Sequence, residues 1–143
     1  MQTLKDTSLT GKDSLDLAKA IVYVLIEKKA FDVRLYCVKE DSSITDYYVN
    51  ATGRSSTQVA SLADEVAYKT ENSGRAPLRI EGRQGNSWLL VDYGDVIVNI
   101  FDKPSREFYN FDRLLPEDGR VDISDIIADV DKKFEISNQR TEQ

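Results

Sequence analysis

The sequence predicts an α/β (α+β) domain, a mixed sheet of about five strands with helices packed on its faces. Three observations predict it. Segments of helical and strand periodicity interleave in the order α-β-β-α-β-β-β-α. Both long helices carry apolar residues on one side only, as helices covering a sheet must. A chain of 143 residues that is 41% hydrophobic is long enough to bury one core.

The elements follow in order. Residues 1–12 are polar and aperiodic and read as a flexible leader, without the apolar stretch of a signal peptide or the Arg-rich pattern of a transit peptide. The main domain is expected over 13–115, and an acidic extension over 116–143. Asp13 or Ser14 can cap a helix whose apolar face is Leu15, Ala18, Val22, Leu25 and Ile26. Lys28 and Lys29 suit its last turn. Residues 33–38 alternate as a strand, 40–43 form a turn, and 45–52 form a second strand. There, Tyr47, Val49 and Ala51 share one face, and Tyr48 and Asn50 the other.

Ser55 and Gln58 have capping-box spacing, and Val59, Leu62, Ala63, Val66 and Ala67 form a helical stripe that Gly74 can end. Residues 77–81 read as a short strand, with Pro77 at its start where a missing N–H is tolerated. Two strands, 88–93 and 96–101, flank Gly94-Asp95, a tight hairpin signal. Alternation separates Trp88, Leu90 and Asp92 from Leu89, Val91 and Tyr93. The run Val96-Ile97-Val98 is apolar on both faces and predicts a covered, central strand. Pro104 halts it, and Ser105 can cap a short helix to about Leu115. Beyond Pro116, Ile126, Ile127, Val130 and Phe134 are spaced for one short amphipathic helix, with disorder expected over 137–143.

Composition narrows the function. No apolar run approaches the roughly 18 residues that span a bilayer, so no membrane partner is expected. Cys37 is the only cysteine, which forbids an internal disulfide and suits a reducing cytoplasm. A formal charge of −6 disfavours direct nucleic-acid binding and suits a basic partner, although acidity also serves solubility. There is no histidine, which removes the commonest general base and zinc ligand.

Three constellations carry alternatives. The segment from Asn50 to Thr57 is a strand, a Gly-containing turn and a helix start, where free N–H groups can hold an anion. Ser55 and Ser56 can equally be simple caps, or contact a protein. A nucleotide-transferring enzyme would also need converging carboxylates for divalent metal, but the next strand reads Leu78-Arg79-Ile80-Glu81, so no metal site and no cofactor is expected. Asp92 and Asp95 flank the hairpin turn and suit a cation, turn chemistry, or an acidic edge offered to a basic protein. The aromatics Trp88, Tyr93, Phe108, Tyr109 and Phe111 fill the core or anchor an interface. Arg106 and Glu107 read as a solvated pair or a partner contact.

Three blocks, SSITDYYVNATGRSSTQVASLADEV, GNSWLLVDYGDVIVNIF and SREFYNFDRL, stand in this order within residues 42–114. Together they resemble the ribosomal silencing factor family (RsfS, or Iojap), with the likeness running from about Leu15 to about Leu115. The resemblance implies a topology similar to the nucleotidyltransferase fold and a binding module rather than an enzyme. It implies binding to the large ribosomal subunit through ribosomal protein L14, on the face that meets the small subunit. Subunit joining would be blocked sterically, damping translation when nutrients run short. It also implies a homodimer when free. The contact residues it suggests are Asp46, Tyr48, Trp88, Asp92, Tyr93, Asp95, Arg106, Glu107 and Tyr109. Two departures stand out. The family commonly has histidine where this chain has Asn99, and a Leu-Trp pair where it has Leu114-Leu115. The other readings are a Mg-dependent nucleotidyltransferase at residues 53–56 and an acidic adaptor for another basic protein.

Overall fold

Local signals start each long helix. The Asp13 carboxylate accepts the Asp16 N–H at 3.0 Å and caps α1, Ser14–Glu27. Ser55 accepts the Gln58 N–H at 3.2 Å and caps α2, Ser56–Asn72. The Gln58 side chain reaches back to the Arg54 N–H at 2.6 Å, one residue before the partner an ideal capping box would use. Ser73 ends α2, and Gly74 follows at φ +103°, where glycine carries no side-chain penalty. The structure, a computed structural model, describes residues 8–141, with side chains to residue 136.

The strands are β1 (Phe31–Cys37), β2 (Tyr47–Gly53), β3 (Arg79–Glu81), β4 (Trp88–Asp92), β5 (Val96–Asp102) and β6 (Arg120–Val121). They form one six-stranded mixed sheet in the order β3-β4-β5-β2-β1-β6. Only β2 and β5 pair in parallel, in register from Tyr47↔Val96 to Gly53↔Asp102. Their connection runs through α2 and the β3–β4 hairpin. The sixth strand, beyond the five expected, comes from the tail, pairing Leu35 with Val121 and Tyr36 with Arg120.

The sheet has two unlike faces, as the period of two along each strand requires. On one face Leu35, Val49, Ala51, Leu89, Val91, Val98 and Ile100 are fully buried beneath α1 and α2. Leu17, Ala18, Ile21, Val22 and Leu25 supply α1's side of this core, and Val59, Leu62, Ala63 and Val66 supply α2's. The other face carries Tyr36, Tyr48, Asn50, Thr52, Trp88, Ile97, Asn99 and Phe101. It is covered in part by α3 (Lys103–Tyr109) and a 3-10 turn, Phe111–Leu114.

Four expectations change. Asp102, not Ser105, caps α3, accepting the Ser105 N–H at 2.9 Å, and Pro104 sits in the first turn instead of merely ending the strand. That helix stops at Tyr109 because Asn110 turns left-handed at φ 48°, so no single helix reaches Leu115. Residues 8–12 are not a loose leader: Leu9 is buried in the core and its N–H bonds the Ser73 carbonyl at 2.9 Å. Residues 1–7 lie outside the described residues. The tail is no loose extension: α4 runs Ser124–Thr141, covers much of the segment expected to be disordered, and buries Val130 against α1. Lys29, whose φ is 71°, lays its ammonium over the Phe134 ring at 3.9 Å. Only residues 142 and 143 of that segment lie outside the described residues.

Candidate functional site

The second face of the sheet holds a chain of hydrogen bonds that runs across four strands. The Trp88 indole N–H donates to Asn99 Oδ1 at 2.9 Å. Indole nitrogen can only donate, so Asn99 must present its oxygen there and its amide nitrogen to the opposite side. That nitrogen donates to Asn50 Oδ1 at 3.1 Å, and Asn50 Nδ2 donates onward to Asp112 at 2.9 Å. The Tyr36 hydroxyl donates to the same carboxylate oxygen at 3.2 Å. Each member fixes the next, and every donor points toward Asp112 in the 3-10 turn.

Arg106 closes the network from α3. Its Nε donates to Asp112 Oδ2 at 2.7 Å, and one terminal nitrogen donates to the Thr52 hydroxyl at 2.8 Å. Burial pushes the Asp112 carboxyl up, but the hydrogen bonds from Arg106 and Asn50 outweigh it and hold the group below its usual range. Arg106 is 8% exposed, so its guanidinium serves the fold. It is neither the solvated pair nor the partner contact that the sequence suggested, because its charge is consumed by a carboxylate six residues away.

Aromatic rings fill the space beside this network. Trp88 stacks at 4.9 Å from Phe101 and 4.8 Å from Tyr109, and Tyr48 meets Phe111 edge-on at 5.2 Å. Trp88 is therefore half-buried and supports Tyr109 rather than standing free. What does stand free is a ledge on α3 and the 3-10 turn: Phe108 is 81% exposed, Leu114 74% and Tyr109 52%. Leu114 was not among the contact residues suggested by the sequence, and Phe108 was read there only as core filler or interface anchor, outside the suggested contacts. The available signal was their crowding: a helix of seven residues ending in Phe108-Tyr109 cannot turn both rings inward.

The acidic candidates lie elsewhere, around the β4–β5 turn. Asp92 accepts the Gly94 N–H at 2.8 Å and pairs with Arg79 at 3.1 Å, which is the turn-chemistry reading. Asp95 pairs with Arg75 at 2.7 Å, and its carbonyl accepts the Asp46 N–H at 3.1 Å. The Asp46 carboxylate accepts from the Ser14 hydroxyl at 3.1 Å. Tyr93 is 4% exposed and shares a 2.7 Å hydrogen bond with Thr70. It cannot be the surface anchor suggested, because alternation turns it under α2. Burial raises its phenol to about 12. Tyr48 is half-buried, and desolvation, with Asp92 nearby, raises its phenol too. Glu107 is exposed on α3.

Gly53 has a packing role. A Cβ there would stand 3.0 Å from Val59 Cγ2, so the missing side chain lets α2 approach β2. Among the described residues, no three metal-ligating side chains converge, and no helix is long and apolar enough to cross a membrane.

Known proteins agree with this architecture. The family model described as "Ribosomal silencing factor during starvation" matches residues 11–143. The likeness thus continues past Leu115 through the tail. A ribosomal silencing factor of Halalkalibacterium halodurans is 31% identical over 113 residues, spanning 79% of this chain and 97% of that one. A crystal structure of a Chromobacterium violaceum protein superposes with a TM-score of 0.71 at 28% identity, covering 73% of this chain and 87% of that one. More distantly, the mouse protein named "Mitochondrial assembly of ribosomal large subunit protein 1" is 27% identical over 97 residues, 66% of this chain and 42% of its own. The match over nearly the whole chain, and a fold shared with its relatives, lead to one conclusion: this chain belongs to the ribosomal silencing factor family.

Proposed function

We propose that this protein binds the large ribosomal subunit through ribosomal protein L14, on the face that meets the small subunit, and represses translation by blocking subunit joining. The observation that carries the reading is the exposed ledge of Phe108, Tyr109 and Leu114, held rigid from behind by Trp88, Phe101 and the Asp112 network. Exposed aromatic and aliphatic groups on a fixed support are what interface hot spots require. Family membership supports a ribosomal partner, and the mouse relative's name points to the large subunit. A formal charge of −6 suits a basic protein partner in the cytoplasm.

On this reading Phe108, Tyr109 and Glu107 make contact, while Tyr48, Trp88 and Arg106 position them. Asp46, Asp92 and Asp95 form an acidic rim. Blocking needs no chemistry, only bulk on the right face. The free protein forms a homodimer through the same ledge, so dimer and ribosome complex compete. Light scattering tests that part, and a monomer at high concentration refutes it. The main test is sedimentation of tagged protein in lysate at low magnesium, where subunits separate. Tagged protein in the large-subunit peak alone is the expected result. Protein that stays at the top of the gradient refutes the reading.

A further inference from the structure

The parallel strands β2 and β5 end side by side at Gly53 and Asp102. From there the chain turns to α2 on one face of the sheet and to α3 on the other. Such a divergence at the carboxyl ends of parallel strands leaves a crevice where α/β proteins take ligands. Here the crevice has a volume of about 490 Å³. It is lined by Phe31, Asp32, Arg54, Lys103, Arg106 and Glu107, with Thr52 and Gly53 as its floor.

Its charge is unlike that of the rest of the molecule. The chain is formally −6, yet Arg54 and Lys103 sit at this mouth, both exposed, and neither forms an ion pair among the described residues. Of the two carboxylates present, Asp32 is taken up by Arg34 at 2.8 Å and lies 3.7 Å from Arg106. Glu107 has no ion pair among the described residues and can accept hydrogen bonds from hydroxyl or amino groups. Phe31 is 45% exposed, with the Arg54 guanidinium 4.6 Å from its ring centre. It stands beside an extra residue in β1, since Phe31 pairs with Thr52 and Arg34 with Asn50, leaving two residues opposite one. Ser55 is spent on capping α2, so neither its hydroxyl nor the start of that helix carries the argument.

We propose that this crevice binds a mononucleotide, without metal and without turnover. Arg54 and Lys103 hold the phosphate, Glu107 accepts from the ribose hydroxyls, and the base lies against Phe31. A bare phosphate would leave the Glu107 carboxylate unused and the Phe31 ring with Arg54 alone against it. A nucleotide answers all three kinds of group, and the volume admits one. The site shares Glu107 with the proposed ribosome contact, so its test changes Arg54 and Lys103, which lie outside that contact, and reads nucleotide binding rather than ribosome binding.

The experiment is calorimetric titration of the full chain, without magnesium, with ADP and GDP as probes. Inorganic phosphate, ribose 5-phosphate and a short oligo(U) serve as comparisons. The double variant Arg54→Ala/Lys103→Ala changes two exposed side chains, and circular dichroism checks its fold. The proposal requires that a nucleotide bind more tightly than phosphate or ribose 5-phosphate, and that the double variant weaken it about tenfold or more. It is overturned if neither nucleotide binds, if phosphate binds as tightly, if the variant binds nucleotide unchanged, or if only the RNA binds.

Discussion

Replacing Asp112 with alanine removes the acceptor on which three other side chains converge. Asn50, Tyr36 and Arg106 all donate to it, and Arg106 is 92% out of solvent by its 8% exposure. After the change, Arg106 keeps the Thr52 hydroxyl at 2.8 Å and a weak approach to Asp32 at 3.7 Å. Removing one partner of a buried ion pair costs about 3–5 kcal/mol. The Asp112 side chain keeps 12% of its exposure and water can reach it, so the lower end applies, about 3 kcal/mol. Asn50 and Tyr36 are 0% and 2% exposed, but water entering the space left by the carboxylate re-pairs their donors, so each adds less than the ~1 kcal/mol of a typical hydrogen bond. A total of about 3–4 kcal/mol is a large share of the ~5–15 kcal/mol typical of a domain. Urea unfolding followed by circular dichroism reads it as a lower midpoint at unchanged slope.

The same contacts make stability depend on pH. The folded carboxyl titrates below its ordinary value, so the unfolded state binds the proton more readily. The stabilisation is therefore complete above about pH 4 and lost as pH falls through the lowered folded value. Asp112→Asn should make the acid branch of the stability curve shallower. A loss under about 1 kcal/mol for Asp112→Ala, with an unchanged acid branch, would refute the hub.

The other predictions concern the same face and its surroundings. Asn99→Leu leaves the Trp88 indole N–H and the Asn50 oxygen unpaired at about 1–3 kcal/mol each, and indole fluorescence should shift as the ring loosens; unchanged emission would count against the relay. Tyr93 has a raised folded phenol of about 12, so its contribution is intact below about pH 10 and lost as pH rises through the folded value. Tyr93→Phe should therefore cost about 1 kcal/mol at neutral pH through the lost Thr70 bond, yet flatten the alkaline branch; equal alkaline loss in both proteins would contradict this. Phe108→Ala with Leu114→Ala should change stability by no more than about 0.5 kcal/mol each while reducing co-sedimentation with large subunits; full co-sedimentation would remove the ledge from the interface.

Much of the fold was legible because its signals are local. Ser55 and Gln58 lie three residues apart, so the α2 cap could be read from the spacing. The alternation through Trp88–Asp92 assigned each residue to its face and placed Tyr93 opposite Trp88, and the apolar run Val96-Ile97-Val98 marked a covered strand. What escaped depends on partners distant in sequence. β6 is two residues long and exists only because β1 offers it an edge. α4 was legible as a short amphipathic helix, but its docking on α1, through buried Val130, the Lys133–Glu27 pair and the Lys29–Phe134 contact, was not. Arg106 reads as a surface charge until a turn six residues on brings Asp112 to it. Asp92 and Asp95 read as a cation site, turn residues or an acidic edge until Arg79 and Arg75 arrive from the segment after α2. The blocks identified the family through their order, whereas the exposed ledge emerged from the way α3 ends at Asn110.

The most direct test of the central claim is light scattering from purified small and large subunits mixed at joining magnesium, with and without the protein. Wild-type protein is expected to hold the subunits apart, and the Phe108→Ala/Leu114→Ala variant to let them join. Subunits that join at the normal rate and extent while wild-type protein sits on the large one would contradict it.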